Sequence, residues 1–282
     1  MIRIGTRGSA LALAQAGWVS ERIADETAIV TITTSGDRGE RALDKSRWVA
    51  ELERALLDDE IDVAVHSAKD VPAELAPGLE LVAISEREDP RDAICGAPSL
   101  QALEPGARIG TSSLRRAAQV RALREDVEVI DVRGNVDTRL RKLAEGSCDA
   151  LVLAAAGLRR LGHEPDGILD ELVPAAGQGA LALEAAPGTV SAEALASVAD
   201  RGSTACVLAE RELTRALGAT CNTSVGARAQ VVHQGELELV AWVGRADGSA
   251  WLSDRVSGPA KGLGQTCAER LLAAGARELL EA

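Results

Sequence analysis

Short apolar, strand-like runs alternate with helix-period stretches along most of this chain, and that alternation restricts the fold more than any other feature. Residues 2–4 read as a strand, Ser9 stands where a helix N-cap belongs, and residues 10–24 carry Leu11, Leu13, Ala14, Val19 and Ile23 on one mostly apolar face. A strand at 29–33, a helix at 48–58 and strands at 61–65 and 79–86 follow, with a polar, aperiodic loop at 35–47. The rhythm resumes as strand 107–110, helix 113–124, strand 127–131, helix 135–145 and strand 149–153. Alternation of this kind predicts parallel α/β layers. The openings GTRGSAL (5–11) and GTSSLRR (110–116) look alike, which suggests two similar lobes facing one cleft. A helix near 191–199 follows the Gly-rich return PAAGQGA (174–180) and is assigned to the first lobe. Beyond 202 the pattern changes to a helix at 203–217, strands near 225–232, 236–244 and 250–257, and a helix at 262–280. The expected organisation is a first α/β lobe (1–85 plus about 176–199), a second (86–175) and a C-terminal α+β domain (202–282).

Composition narrows the function classes. The 282 residues are 46% hydrophobic and 26% charged, enough for several globular cores. The strongest apolar run, 150–158, is too short to cross a membrane. The opening MIRIGTR has no basic segment followed by an apolar stretch and a cleavage site, so no secretion signal is expected. The five cysteines are scattered and form no CxxC pair, which argues against a disulfide framework or zinc site and for a reducing, cytoplasmic setting. No metal ligand set is expected. A net charge of −12 disfavours nucleic acid and anionic membranes as partners. Phe and Tyr are absent, so Leu, Val, Ile and Ala must fill the cores.

Against that acidic balance, positive charge gathers on two turns, GTSSLRR (110–116) and RGNVDTR (133–139). Each precedes a helix, whose free N–H groups attract anions, and Arg115, Arg116, Arg133 and Arg139 add planar forks suited to carboxylate or phosphate. Arg115 and Arg116 differ by about a quarter turn of helix, so they are expected to diverge. HSAKDVP (66–72) puts Ser67, Lys69 and Asp70 at the carboxyl end of a buried strand, where open α/β sheets bind ligands. Lys69 suits a substrate carboxylate and Asp70 a developing cation or a ring N–H; a surface turn with a local ion pair is the alternative. His66 reads as structural or as a hydrogen-bonding support. Cys221 sits in the polar loop GATCNTSVG, an unusual place for an inert thiol, whereas Cys148, Cys206 and Cys267 fit buried positions.

Taken in order, TRGSALALAQA (6–16), HSAKDVP, EREDPRDA (86–93), GTSSLRR, RGNVDTRL (133–140), LAAAGLRRLG (153–162), PAAGQGA, AERELTRAL (209–217) and the loop at Cys221 closely resemble the porphobilinogen deaminase (hydroxymethylbilane synthase) family, nearly end to end. The resemblance implies a cytoplasmic, monomeric transferase with two periplasmic-binding-protein-like lobes. Such an enzyme condenses four porphobilinogen molecules head to tail on a covalent dipyrromethane primer and releases hydroxymethylbilane and ammonia. It implies that Cys221 carries the primer as a thioether, and that Asp70 holds pyrrole N–H groups and steadies the cation formed as ammonia leaves. It implies that Lys69, Ser113, Arg115, Arg116, Arg133 and Arg139 bind the primer, and that Arg7, Ser9, Ser67, Thr111 and Arg160 bind substrate. Two segments depart from the family pattern: Ala219 and Thr220 precede the cysteine in place of glycines, with Ser224 where a proline is usual, and the lid segment is DKSRW, with Lys45 and Trp48. A non-catalytic two-lobed anion receptor and a cysteine hydrolase using Cys221 and His66 are the competing readings.

Overall fold

The computed structural model describes residues 1–33, 46–220, 223–233 and 235–281. In chain order the elements are β1 (Ile2–Arg7), α1 (Ala10–Ser20), β2 (Thr27–Ile32), α2 (Ser46–Leu57), β3 (Val63–Ser67), β4 (Glu80–Ile84) and β5 (Asp92–Cys95). Next come β6 (Arg108–Gly110), α3 (Leu114–Leu123), β7 (Glu128–Ile130), α4 (Val136–Ala144), β8 (Ala150–Ala154), α5 (Ala155–Arg160) and β9 (Gly167–Leu169). The remainder forms β10 (Leu181–Ala185), α6 (Ala192–Leu195), α7 (Arg201–Ala216), β11 (Val225–His233), β12 (Glu236–Gly244), β13 (Trp251–Pro259), α8 (Leu263–Ala273) and α9 (Ala276–Leu280). Of the polar loop expected at 35–47, residues up to and including Lys45 lie outside the described residues, and α2 begins at Ser46.

Two compact units result: Met1–Glu88 with Ala180–Val207, and Asp89–Gly179 with Leu208–Ala282. The first contains a five-stranded sheet in the order β2-β1-β3-β10-β4. β3 is buried at four successive residues, Val63 to His66, the first three of them apolar, as expected of a strand covered on both faces. One face packs Ile4, Val19, Val63, Val65, Leu181 and Leu183 against Leu195 and Val198. The other gathers Leu52, Leu56, Ile61 and Ala64.

The second unit repeats the plan in the order β7-β6-β8-β5-β9. Ile94, Ile109, Val120, Val152 and Leu169 fill one face, and Val132, Leu151, Leu153 and Leu158 the other. An antiparallel meander, β11-β12-β13, completes it, with α8 and α9 packed on the meander. The chain is thus an α/β protein with two similar lobes and a small C-terminal α+β domain. All twelve of the largest fully buried side chains are Ile or Leu, which is how a core without Phe or Tyr is filled.

The expected parallel pairing holds for three strands of each sheet and is joined by antiparallel neighbours. β1, β2 and β3 are parallel, as are β6, β7 and β8, but β10 runs antiparallel between β3 and β4, and β5 antiparallel between β8 and β9. Neither β5 nor β10 enters its sheet through a covering crossover helix, which a parallel neighbour requires. Two helices are also shorter than expected. The stretch 262–280 breaks at Gly275, whose φ of +100° ends α8, and 191–199 contracts to the single turn of α6. No helix among the described residues is long and apolar enough to cross a membrane.

Candidate active site

β1 and β3 lie side by side and parallel, so their carboxyl ends finish at the same edge of the sheet. Arg7 ends β1, and Ser9 caps α1, its Oγ accepting from the Ala12 N–H at 3.2 Å. Ser67 ends β3, and the chain continues as a 3₁₀ turn, Ala68–Asp70, that carries Lys69 and Asp70. Gln15 of α1, 4% exposed, donates through Nε2 to Ser67 Oγ at 2.9 Å and ties the first turn to the second. Arg7, Ser9, Ser67, Lys69 and Asp70 therefore share one edge of the first unit, the edge at which open α/β sheets take ligands. His66 points elsewhere: its Nε2 meets Glu184 Oε2 at 2.9 Å across β3 and β10, both side chains buried.

In the second unit the corresponding edge is built from the ends of β6 and β7. The Thr111 N–H donates to the Ile130 carbonyl at 3.0 Å, which sets the two arginine-bearing turns side by side. Thr111 Oγ1 accepts from the Ser113 N–H at 3.2 Å, and Ser113 Oγ caps α3 by accepting from the Arg116 N–H at 3.5 Å. Both hydroxyl-rich residues thus shape the helix start.

Arg115 and Arg116 do not diverge. Their side chains are long enough to overcome the quarter-turn offset, and both fold inward, 5% exposed, onto Asp92 of β5. Arg115 Nη1 donates to Asp92 Oδ2 at 2.6 Å, and Arg116 donates to Asp92 Oδ1 through Nε at 2.9 Å. Arg115 Nη1 also reaches the Val173 carbonyl at 2.9 Å, and Arg116 Nη1 the Val152 carbonyl at 3.2 Å. Burial alone would raise the Asp92 pKa, but the two guanidiniums and the Gln178 carboxamide outweigh it and hold the acid well below the usual carboxylate range. One buried carboxylate thus takes both guanidiniums at once.

The other predicted arginines are held differently. Arg160 Nη2 donates to the Gly179 carbonyl at 2.7 Å, beside the Asp92 layer. Arg133 is open to solvent and pairs through Nε with Asp131 at 2.6 Å, while Arg139 Nε donates to the Gly134 carbonyl at 2.7 Å at the start of α4. Cys221 lies outside the described residues; Thr220 and Thr223, which flank it, exchange hydrogen bonds. The domain that carries it is anchored by the Ala227 N–H on the Pro174 carbonyl at 2.8 Å. Glu210, fully buried, also bridges the Gly177 and Ala229 N–H groups, each at 2.6 Å. Among the described residues no cluster of His, Cys, Asp or Glu is arranged to hold a metal ion. Cys95, Cys148, Cys206 and Cys267 are buried thiols; burial pushes Cys267 up to about 12 and Cys95 to about 11.

Three residues of this site are given no role by the sequence reading: Asp92, Gln178 and Gln119. Asp92 and Gln178 fall inside EREDPRDA and PAAGQGA, so the signal was present as motif rather than as chemistry. Gln119 has no such signal; its amide clasps both the N–H and the carbonyl of Val173.

Residues 2–194 match the family model described as "Porphobilinogen deaminase, dipyromethane cofactor binding domain", and residues 204–273 match "Porphobilinogen deaminase, C-terminal domain". Porphobilinogen deaminases of Thiobacillus denitrificans and Deinococcus deserti are 46% and 44% identical to it, each alignment covering 100% of this chain and 98% of the relative. That of Thermus thermophilus is 45% identical over 99% of this chain and 98% of its own. Both domains matched in order and relatives aligned over their full length lead to one assignment: this chain belongs to the porphobilinogen deaminase family.

Proposed function

We propose a division of labour among these residues for the reaction of the family, the deamination and head-to-tail condensation of four porphobilinogen molecules into hydroxymethylbilane. The dipyrromethane cofactor, joined by a thioether to Cys221, supplies the anchored pyrrole end to which units are added. Arg115, Arg116, Arg133 and Arg139, with Lys69 and Ser113, bind its acetate and propionate groups. Arg7, Ser9, Ser67, Thr111 and Arg160 bind the carboxylates and polar atoms of incoming porphobilinogen. Asp70 accepts from the pyrrole N–H and offsets the positive charge that grows on the substrate ring as its amine departs as ammonia. Such preorganised electrostatics is usually the largest catalytic term.

What supports the reading is the geometry of the Asp92 layer. Two guanidiniums converge on one carboxylate, and such planar forks suit the carboxylates of pyrrole side chains. The domain carrying Cys221 is taken as residues 202–282, the lobes as 1–85 with about 176–199 and 86–175. The protein works as a cytoplasmic monomer, with porphobilinogen rather than nucleic acid or membrane as its partner.

Asp70→Asn tests the central role. Ammonia release should fall at least about a hundredfold while the melting temperature stays near wild type. Turnover within threefold of wild type would remove Asp70 from the chemistry.

A further inference from the structure

Two long-range side-chain bonds fasten β3 just before the turn that carries Lys69 and Asp70, one on each face of the sheet. Ser67 shares the face of Val63 and Val65, against α1, and there Gln15 Nε2 donates to its Oγ at 2.9 Å. His66 shares the opposite face with Ala64, beneath α2, and there its Nε2 meets Glu184 Oε2 at 2.9 Å. The strand register explains the meeting. Ala182 lies opposite His66 and Glu184 opposite Ala64, so the two side chains are diagonal neighbours. Past His66 the ladder has one more pair, Ser67 opposite Leu181, and the Ala68 N–H on the Ala180 carbonyl at 3.0 Å; the 3₁₀ turn then leaves the sheet. Glu184 is fully buried, and its Oε1 has no hydrogen-bond partner among the described residues. A further acid, Glu53 of α2, lies near the pair, with its Oε1 accepting from the Ala76 N–H at 3.0 Å.

A fully buried acid with one bonded side-chain partner is a poor device for stability, because apolar side chains of similar volume often replace such a pair without loss. The strand positions around it, Ala64, Ala180 and Ala182, are apolar, so the pair is out of keeping with its surroundings. We propose that Glu184 and His66 are positioning residues: their bond holds the carboxyl end of β3 in one place, so that Asp70, four residues beyond His66, meets the pyrrole N–H and the growing cation. This rests on the role proposed above for Asp70. The pair acts through the strand, and with it gone the strand end keeps the Gln15 bond on one face only, leaving the turn free to tilt.

A variant with both His66→Leu and Glu184→Leu removes the two polar groups together and leaves neither unpaired. It is measured as purified holoenzyme, with turnover counted per protein carrying the two-pyrrole adduct. The double variant should melt at or above wild type. Its kcat for ammonia release should nevertheless fall at least about tenfold, the scale of a small misplacement of a reacting group. In an Asp70→Asn background the same two changes should cost less than about threefold, because little is then left to position. The proposal is overturned if the double variant keeps kcat within threefold of wild type, or if kcat falls by the same factor in both backgrounds. Should it melt lower, the comparison of backgrounds still decides, since a purely structural loss carries over to each. If the double variant does not fold, Glu184→Gln takes its place: its amide nitrogen cannot accept from His66. Its kcat should fall at least about threefold with Asp70 present and stay level in the Asp70→Asn background, and equal factors overturn the proposal. Asp70→Asn alone with turnover within threefold of wild type would instead overturn the role of Asp70 itself.

Discussion

Replacing Asp92 by Asn keeps the shape of the side chain and removes the charge that two buried guanidiniums share. Arg115 would retain the Val173 carbonyl, and Arg116 the Val152 carbonyl and Gln178 Oε1, so neither loses every acceptor. What they lose is the carboxylate that both of them share. Removing one partner of a buried ion pair costs about 3–5 kcal/mol. At roughly 2–4 °C per kcal/mol for a unit of this size, the melting transition should drop by about 6–20 °C. Differential scanning calorimetry reads this directly. A companion protein with Asp92→Asn, Arg115→Met and Arg116→Met should recover much of the loss, because no charge is then left buried without a partner. An Asp92→Asn protein that melts within about 2 °C of wild type would refute the idea that this layer is a strongly coupled ionic core.

Two further outcomes follow from the same geometry and its surroundings. Because the folded-state pKa of Asp92 is depressed below the unfolded value of about 3.9, its contribution is complete above about pH 5 and is lost as pH falls toward the folded value. The stability gap between wild type and Asp92→Asn, measured by denaturant titration, should therefore narrow from pH 5 to about pH 2; a constant gap would contradict the depressed pKa. Leu151→Ala removes a fully buried side chain packed with Val132, Leu153 and Leu158, and should destabilise by about 2–5 kcal/mol in the same titration, with under 1 kcal/mol indicating a loosely packed sheet.

The elements most legible in the sequence were those with an unambiguous period or a cap. β3 showed in the apolar residues Val63 to Val65 of the strand expected at 61–65, and the Ser9 cap stood at the start of α1. β5 and β10 were not legible. DAIC (92–95) opens with an acid straight after a proline, and LALEA (181–185) is alanine-rich with an acid inside, so neither resembles a buried strand. Each acid is tolerated because of a partner distant in sequence: Arg115 and Arg116 for Asp92, His66 for Glu184. The same distance hid the convergence of Arg115 and Arg116. A local rule about helix angles says where two side chains start, while a buried carboxylate from another strand decides where they end. Gln178 lies 86 residues from Asp92, and no periodicity links positions that far apart.

The most direct test is the intact mass of the protein purified from cells that make porphobilinogen. A mass increase equal to two pyrrole units, absent from Cys221→Ser, is the predicted result. A wild-type protein of unmodified mass, or an adduct that survives Cys221→Ser, would contradict a primer tethered to that sulfur.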